Sequence, residues 1–138
     1  MPSMGHSVVV LAGPNGAGKS TLAAELLPGA TDVEEFLDAD VFARRISAAP
    51  TERHALAAGR AMLSRLSELA QQRKSFGFET TLASRTFAPK IKALISGGYE
   101  FHLIFLWLRS DALAIERVAA RVRLGGHDVP NVTIRRRY

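Results

Sequence analysis

The sequence predicts an α/β domain built on a parallel sheet with helices on both faces. Three observations carry this. Short apolar, β-branched runs alternate with longer helix-patterned segments. The run "YEFHLIFLWL" (99–108) is apolar on both faces, as strands of a parallel sheet are. A glycine-rich turn follows the first run directly and opens a helix. At 138 residues the chain fits one domain, taken as residues 1–138, with one hydrophobic core.

In order along the chain, "SVVVLAG" (7–13) is a short β-branched run ending in glycine, hence a buried strand. The next helix is expected from Lys19 to about Leu27, stopped by Pro28-Gly29. "EEFLDAD" (34–40) is a second, weaker strand, and "VFARRI" after it a short helix. "TERHALAAGRAMLSRLSELAQQRK" (51–74) is the longest helix, with Ala55, Leu56, Met62, Leu63, Leu66 and Leu69 as its apolar stripe. Thr51, Glu52 and Arg53 after Pro50 mark its start. "SFGFET" (75–80) is the third strand, and "TFAPKIKALISGG" a helix closed by paired glycines. Beyond the fourth strand, "SDALAIERVAARVRLGG" (110–126) is a helix capped by Ser110, and "HDVPNVTIRRRY" leads into a last short helix.

Composition narrows the class. An apolar share of 47% and a mean hydropathy of +0.05 describe a globular chain, not a disordered one. With no cysteine, disulfides, thiolate zinc sites and cysteine nucleophiles are excluded, which suits the cytoplasm. No apolar run approaches the roughly 20 residues of a membrane helix. The start "MPSMGHSVVVLAGPNG" lacks a basic leader, and its apolar run is read as a strand, not a signal peptide. The net charge is +5 and the pI 10.2, with arginine outnumbering lysine. The basic residues are spread along the chain, and the only dense run is Arg135-Arg136-Arg137. This favours bidentate arginine contacts to a polyphosphate ligand over a nucleic-acid surface.

"GPNGAGKST" (13–21) is the motif with the most chemistry. Gly13, Gly18, Lys19 and Ser20 satisfy G-x-x-x-x-G-K-[ST], between a strand and a helix as the motif requires. Gly13, Pro14, Asn15, Gly16, Ala17, Gly18, Lys19, Ser20 and Thr21 are the candidate phosphate-binding residues. Inward-turned N–H groups and the helix N-terminus favour phosphate, Lys19 would bridge its oxygens, and Ser20 would hold Mg²⁺. No N-K-x-D is present, since the asparagines are Asn15 and Asn131, so guanine-specific GTPases are excluded. "LISGGYE" (94–100) echoes a transporter-ATPase signature, but a strand follows it at once where such an ATPase needs a long helix. Gly97-Gly98 is therefore read as a helix end.

A hydroxyl-directed kinase needs an acid to orient or deprotonate its acceptor and arginines to neutralise the phosphoryl group. In open α/β sheets such groups gather at the carboxyl ends of the strands. Asp38 and Asp40 close the second strand and Glu79 the third. Asp40 serves equally as a helix N-cap, and Glu79 as a carboxylate bonded to nearby backbone. Arg117 and Arg121, four apart, point the same way, with Ile115, Val118, Ala119 and Val122 covering the other side of their helix. They form either a solvated charged face or part of a lid over ATP, with "RLGGHDVP" as the lid.

Taken together, "LAGPNGAGKST", the "DAD" at 38–40, "GFETTLASR" (77–85), "GYEFHLIFLWL" and "RVAARVRLGGHDVP…IRRRY" resemble the zeta toxin family of P-loop kinases, including relatives named predicted ABC-type ATPases. The resemblance runs from about Val8 to Tyr138. It implies a three-layer P-loop kinase-like fold and transfer of the ATP γ-phosphate, with Mg²⁺, to the sugar 3′-hydroxyl of a UDP-N-acetylamino sugar. An antitoxin over the ATP site is its usual partner. It assigns Lys19 to phosphate, Ser20 to Mg²⁺, Asp40 as catalytic base, Glu79 and Thr81 to the sugar nucleotide, and Arg117 and Arg121 as lid arginines. Asp38 stands where the family has asparagine. The alternatives are a truncated relative that binds nucleotide or antitoxin without turnover, and a kinase of nucleic-acid ends.

The family's sheet order is 2-3-1-4-5, and the sequence offers four strands, hence 2-3-1-4 with the fifth missing. The fourth would then be an edge despite being apolar on both faces. Two outcomes are expected from that: a chain shortened from a longer protein, or association through this strand. The terminal "IRRRY" could fold back over part of the edge.

Overall fold

The computed structural model describes residues 5–30, 32–83, 85–125 and 128–138, without the side chains of 26–30. Gly126 and His127 of the expected lid lie outside the described residues.

Four parallel strands, β1 (Ser7–Ala12), β2 (Glu35–Leu37), β3 (Phe76–Thr80) and β4 (Glu100–Phe105), form one sheet in the order β2-β3-β1-β4. Six helices connect and cover them: α1 (Lys19–Ala30), α2 (Ala39–Ile46), α3 (Glu52–Gln71), α4 (Phe87–Ser96), α5 (Asp111–Arg123) and α6 (Asn131–Arg137). The expected α/β class and order hold.

Central β1 explains itself. Val8, Val10 and Ala12 are buried on one face, and Val9 and Leu11 on the other, so helices must cover both. Val8, Val10 and Ala12 share a core with Met62, Leu66 and Leu69 of α3, Leu94 of α4, and Phe76 and Phe78 of β3. Phe76 and Phe78 are fully buried, and cutting either back to alanine would cost about 3–5 kcal/mol. Gly77 lies between them. A side chain there would collide with the Phe36 ring, its register partner on β2. A smaller cluster joins Ala114 and Val118 of α5 to Leu108, Val129 and Ile134, with Ala17 of the glycine-rich loop packed against it.

Several boundaries differ from expectation. α1 continues through Pro28 to Ala30, past the stop expected at Pro28-Gly29. β4 is six residues, not ten. On α3 the buried row is Ala58, Met62, Leu66 and Leu69, while Leu56 is 65% exposed and Ala55 also faces solvent. Six residues before Met62, Leu56 falls about 120° round the helix from it. α3 starts as expected at Thr51, whose N–H donates to His54 Nδ1 at 3.0 Å. Gly97 and Gly98 close α4, with Gly98 at φ +96°.

Among the described residues β4 is an edge, exposing Leu103, Phe105 and the following Trp107. The terminal residues reach the end of the run expected as this strand, at Leu108. Ile134 is buried in the smaller cluster with α5, and the Tyr138 hydroxyl donates to Leu108 O at 2.5 Å.

The register decides where chemistry can happen. Leu37, Thr80, Ala12 and Phe105 end their strands at the same side of the sheet. The segments that follow, carrying Asp38, Thr81, Gly13 and Leu106, therefore rise side by side.

Candidate active site

Gly13 leaves β1 between two neighbours. Its N–H donates to Thr80 O at 3.2 Å, and Leu106 N donates to Ala12 O at 2.7 Å. A Cβ on Gly13 would overlap the Leu106 carbonyl, and its φ is +152°, so glycine is required on two counts. Gly16 (φ +80°) sits under α5, where a side chain would press on Ala114 O and the Arg117 stem. At Gly18 (φ +95°) the space is open.

Lys19 is buried at the start of α1, and its ammonium donates to Gly13 O at 2.7 Å and Pro14 O at 3.0 Å. The loop thus curls around a cation, as a phosphate cradle should. Burial pushes the Lys19 ammonium below its ordinary value, an effect opposed chiefly by Glu79, then by Asp40 and Asp38. The side-chain oxygen of Asn15 is buried with no hydrogen-bond partner, a polar atom on the loop that protein does not satisfy.

Ser20 comes next, and its hydroxyl donates to Glu79 Oε2 at 3.1 Å. That bond uses the proton and leaves the Ser20 oxygen lone pairs for a cation. Burial, followed by the nearby Asp38, pushes the Glu79 carboxyl up to about 7, against the pull of Lys19 and the Ser20 hydrogen bond. Burial also raises Asp38. A cavity of about 400 Å³ opens here, with Ser20, Asp38 and Glu79 at its polar end and Ala23, Phe36 and Val41 on its apolar wall.

Asp38, not Asp40, caps α2. Its side chain accepts from Asp40 N at 2.8 Å, which places Asp40 inside the first turn. Asp40 is half-buried within electrostatic reach of Lys19, Asp38 and Glu79. Thr81 follows β3, half-buried, just before Leu82, which holds a left-handed φ of +59°.

The two arginines of α5 do not lie opposite its apolar residues. They lie on one side of the buried row Ala114–Val118, about 80° (Arg117) and 40° (Arg121) from its middle, and Ala119 is exposed. Arg117 Nε donates to Gly16 O of the loop at 2.5 Å, and the half-buried Arg121 lies within electrostatic reach of Lys19. Ser110 caps the helix, accepting from Leu113 N at 3.1 Å. The structure therefore brings the loop, Asp40, Glu79, Arg117 and Arg121 together around one centre, with Thr81 at its rim. Sequence reasoning named Asp38 beside Asp40 but gave it no role, and it did not single out Arg137 of α6, which lies within electrostatic reach of Asp40. The position of Arg137 three residues after the buried Ile134, about 60° round the helix from it, could have flagged it.

An AAA domain family model matches residues 8–136. A relative from Haemophilus influenzae, an uncharacterized protein, is 26% identical over 135 residues, covering 98% of this chain and 94% of its own. Among solved structures, a candidate kinase from Chloroflexus aurantiacus superposes with a TM-score of 0.72 at 17% identity, over 94% of this chain and 78% of that one. The PezAT chromosomal toxin–antitoxin system of Streptococcus pneumoniae gives a TM-score of 0.70 at 19% identity, over 90% of this chain. The chain spans 56% of that protein's length. At these identities the likeness is one of fold, and the fold is of the P-loop kinase kind.

Proposed function

Since the chain belongs to the AAA domain family, we propose that it is an ATP- and Mg²⁺-dependent kinase that transfers the γ-phosphate to a hydroxyl of a small molecule. The observation that carries this is a buried loop lysine within electrostatic reach of Glu79, Asp40 and Asp38, two of which, Glu79 and Asp38, line one cavity with Ser20. A loop that only bound nucleotide would have no use for Asp38, Asp40 and Glu79 grouped beside the phosphates.

The site residues fit both groups. The open space at Gly18 and the buried Lys19 suit a triphosphate, and the Ser20 oxygen suits Mg²⁺. Bound ATP supplies the phosphoryl group, and Mg²⁺ offsets its charge. Lys19 would exchange its loop carbonyls for phosphate oxygens. Asp40 would accept the acceptor's hydroxyl proton, Arg117 and Arg121 would meet the charge from the α5 side, and Glu79 with Thr81 would hold the acceptor.

The zeta toxin resemblance makes UDP-N-acetylamino sugars the first acceptors to test. It also makes an antitoxin covering the ATP site the partner to seek. The pneumococcal neighbour, itself part of a toxin–antitoxin system, supports the second choice. The test is ADP release with a panel of UDP-sugars, plain sugars and 5′-hydroxyl oligonucleotides. Release that depends on one hydroxyl acceptor supports the kinase. ATP binding without release for any acceptor would leave a nucleotide-binding protein and reject transfer.

A further inference from the structure

The cavity beside the loop, of about 400 Å³, has a charge pattern of its own. Among the described residues that line it are four acids, Glu34, Glu35, Asp38 and Glu79, and no lysine or arginine. Two of the acids are balanced by cations from outside the lining: Glu35 by Arg65 at 2.8 Å and Glu34 by Lys74 at 3.5 Å. Asp38 and Glu79 make no ion pair among the described residues.

Hydrogen bonds occupy one oxygen of each. Asp38 Oδ1 accepts from Asp40 N at 2.8 Å, and Glu79 Oε2 accepts from the Ser20 hydroxyl at 3.1 Å. Asp38 Oδ2 and Glu79 Oε1 have no bonded partner among the described residues. Both residues are half-buried, and Asp38 lies within electrostatic reach of Glu79. Two like charges in a partly dry site are costly unless a cation meets them. The cations of the site are turned to the loop: Lys19 donates to Gly13 O and Pro14 O, and Arg117 to Gly16 O. Lys19 reaches both acids electrostatically, but the phosphates of ATP would claim it. Arg44 of α2, within electrostatic reach of Asp38, gives its Nε to Asp40 O at 3.3 Å and does not line the cavity.

We propose that the phosphoryl acceptor of this site is a hydroxyl compound of monosaccharide size that carries a free ammonium group and no phosphate, the ammonium resting on Asp38 Oδ2 and Glu79 Oε1. The inference rests on the kinase reading above and names its acceptor class. An ammonium has three donors, enough for both free oxygens, and its charge offsets the repulsion between the two carboxylates. A nucleotide sugar would instead bring two further phosphates against Asp38 and Glu79, with no lysine or arginine in the lining to receive them. The volume stands near the small end of the roughly 300–1,000 Å³ of ligand pockets, and the apolar wall at Ala23, Phe36 and Val41 suits the C–H face of a sugar ring. During transfer the acceptor oxygen bonds phosphorus as the bond to the bridging oxygen of ADP breaks. The hydroxyl proton passes to Asp40, and the ammonium is unchanged.

The test measures ADP release, with ATP and Mg²⁺ in every arm, for glucosamine, galactosamine and serinol, each beside its N-acetylated form, and for UDP-N-acetylglucosamine. At least one free amine is expected to give a kcat/KM roughly tenfold or more above its N-acetylated twin, and UDP-N-acetylglucosamine to give no release. In Asp38→Asn, which can still cap α2, and in Glu79→Gln, that ratio should fall toward one. Glu35→Gln should leave the ratio unchanged, since Arg65 already engages that carboxylate. An N-acetylated form or UDP-N-acetylglucosamine that equals or exceeds the amines would overturn the inference and leave the kinase reading standing. So would a ratio that survives both Asp38→Asn and Glu79→Gln. Should neither variant fold, the wild-type ratio decides. ATP binding without release for any acceptor would reject transfer itself, and this inference with it.

Discussion

Replacing Glu79 by glutamine is expected to stabilise the nucleotide-free protein increasingly as pH rises. In the folded protein Glu79 holds its proton up to about pH 7, whereas its ordinary value is 4.5. Between those values the folded state binds more protons than the unfolded state, so stability falls as pH rises through this window and stays lower above it. The shift corresponds to at most about 3 kcal/mol, of which about 2 kcal/mol accrues between pH 5 and pH 8. Glutamine keeps an oxygen that can accept the Ser20 hydroxyl proton, now bonded to Glu79 at 3.1 Å, and removes the charge. With about 3 °C per kcal/mol for a chain of this size, the variant should melt about 6 °C further above wild type at pH 8 than at pH 5. Thermal unfolding by circular dichroism, in EDTA and without nucleotide, measures this. A Tm difference that does not change with pH would refute the reasoning, because a mere change of packing carries no proton linkage.

Lys19→Ala should abolish measurable ATP binding and transfer, since the lysine serves both the bound state and the charge in transfer; wild-type turnover in a coupled ADP assay would end the kinase proposal. Asp40→Asn should lower kcat by about 10²-fold or more with a Tm within about 2 °C of wild type, because Asp38 holds the α2 cap. Asp38→Ala, by contrast, should cost about 1 kcal/mol of stability, visible in a urea midpoint, and an Asp40→Asn variant that unfolds earlier than Asp38→Ala would reverse the two roles. The β4 edge should drive self-association, and Leu103→Lys, at a position 49% exposed, should return a monomer. Sedimentation velocity at about 50 µM decides this, and a wild-type monomer would refute it.

Much of the local structure was legible because its causes are local. The β-branched run 7–12, Ser110 before an apolar helix and the glycine pair after "KALIS" each specify an element or its end through the conformations those residues prefer. The loop was legible for the same reason: glycines at positive φ and a lysine are needed wherever a strand turns into a helix around phosphate. Exposed or buried position within an element was less so. Leu56 and Ala119 suited an apolar stripe by type, yet the tilt of α3 and α5 against their neighbours turned Ala58 and Ala114 inward in their place.

The sequence by itself determined the alternation of strands and helices, the phosphate loop and the places of Asp38, Asp40 and Glu79 at strand ends. Only the tertiary structure decided how these meet. Which carboxylate of "DAD" caps the helix turns on a one-residue difference in where α2 begins, and periodicity does not resolve boundaries that finely. The pairing of Ser20 with Glu79, 59 residues apart, and of Arg117 with Gly16, 101 residues apart, depends on strand order, which long-range burial sets. Arg135 is the sharpest case. Its charge is written in the sequence, but it meets Asp111, 24 residues away, at 3.8 Å because the buried Ile134 packs α6 against α5, and a side chain's target is a property of packing and not of the residue.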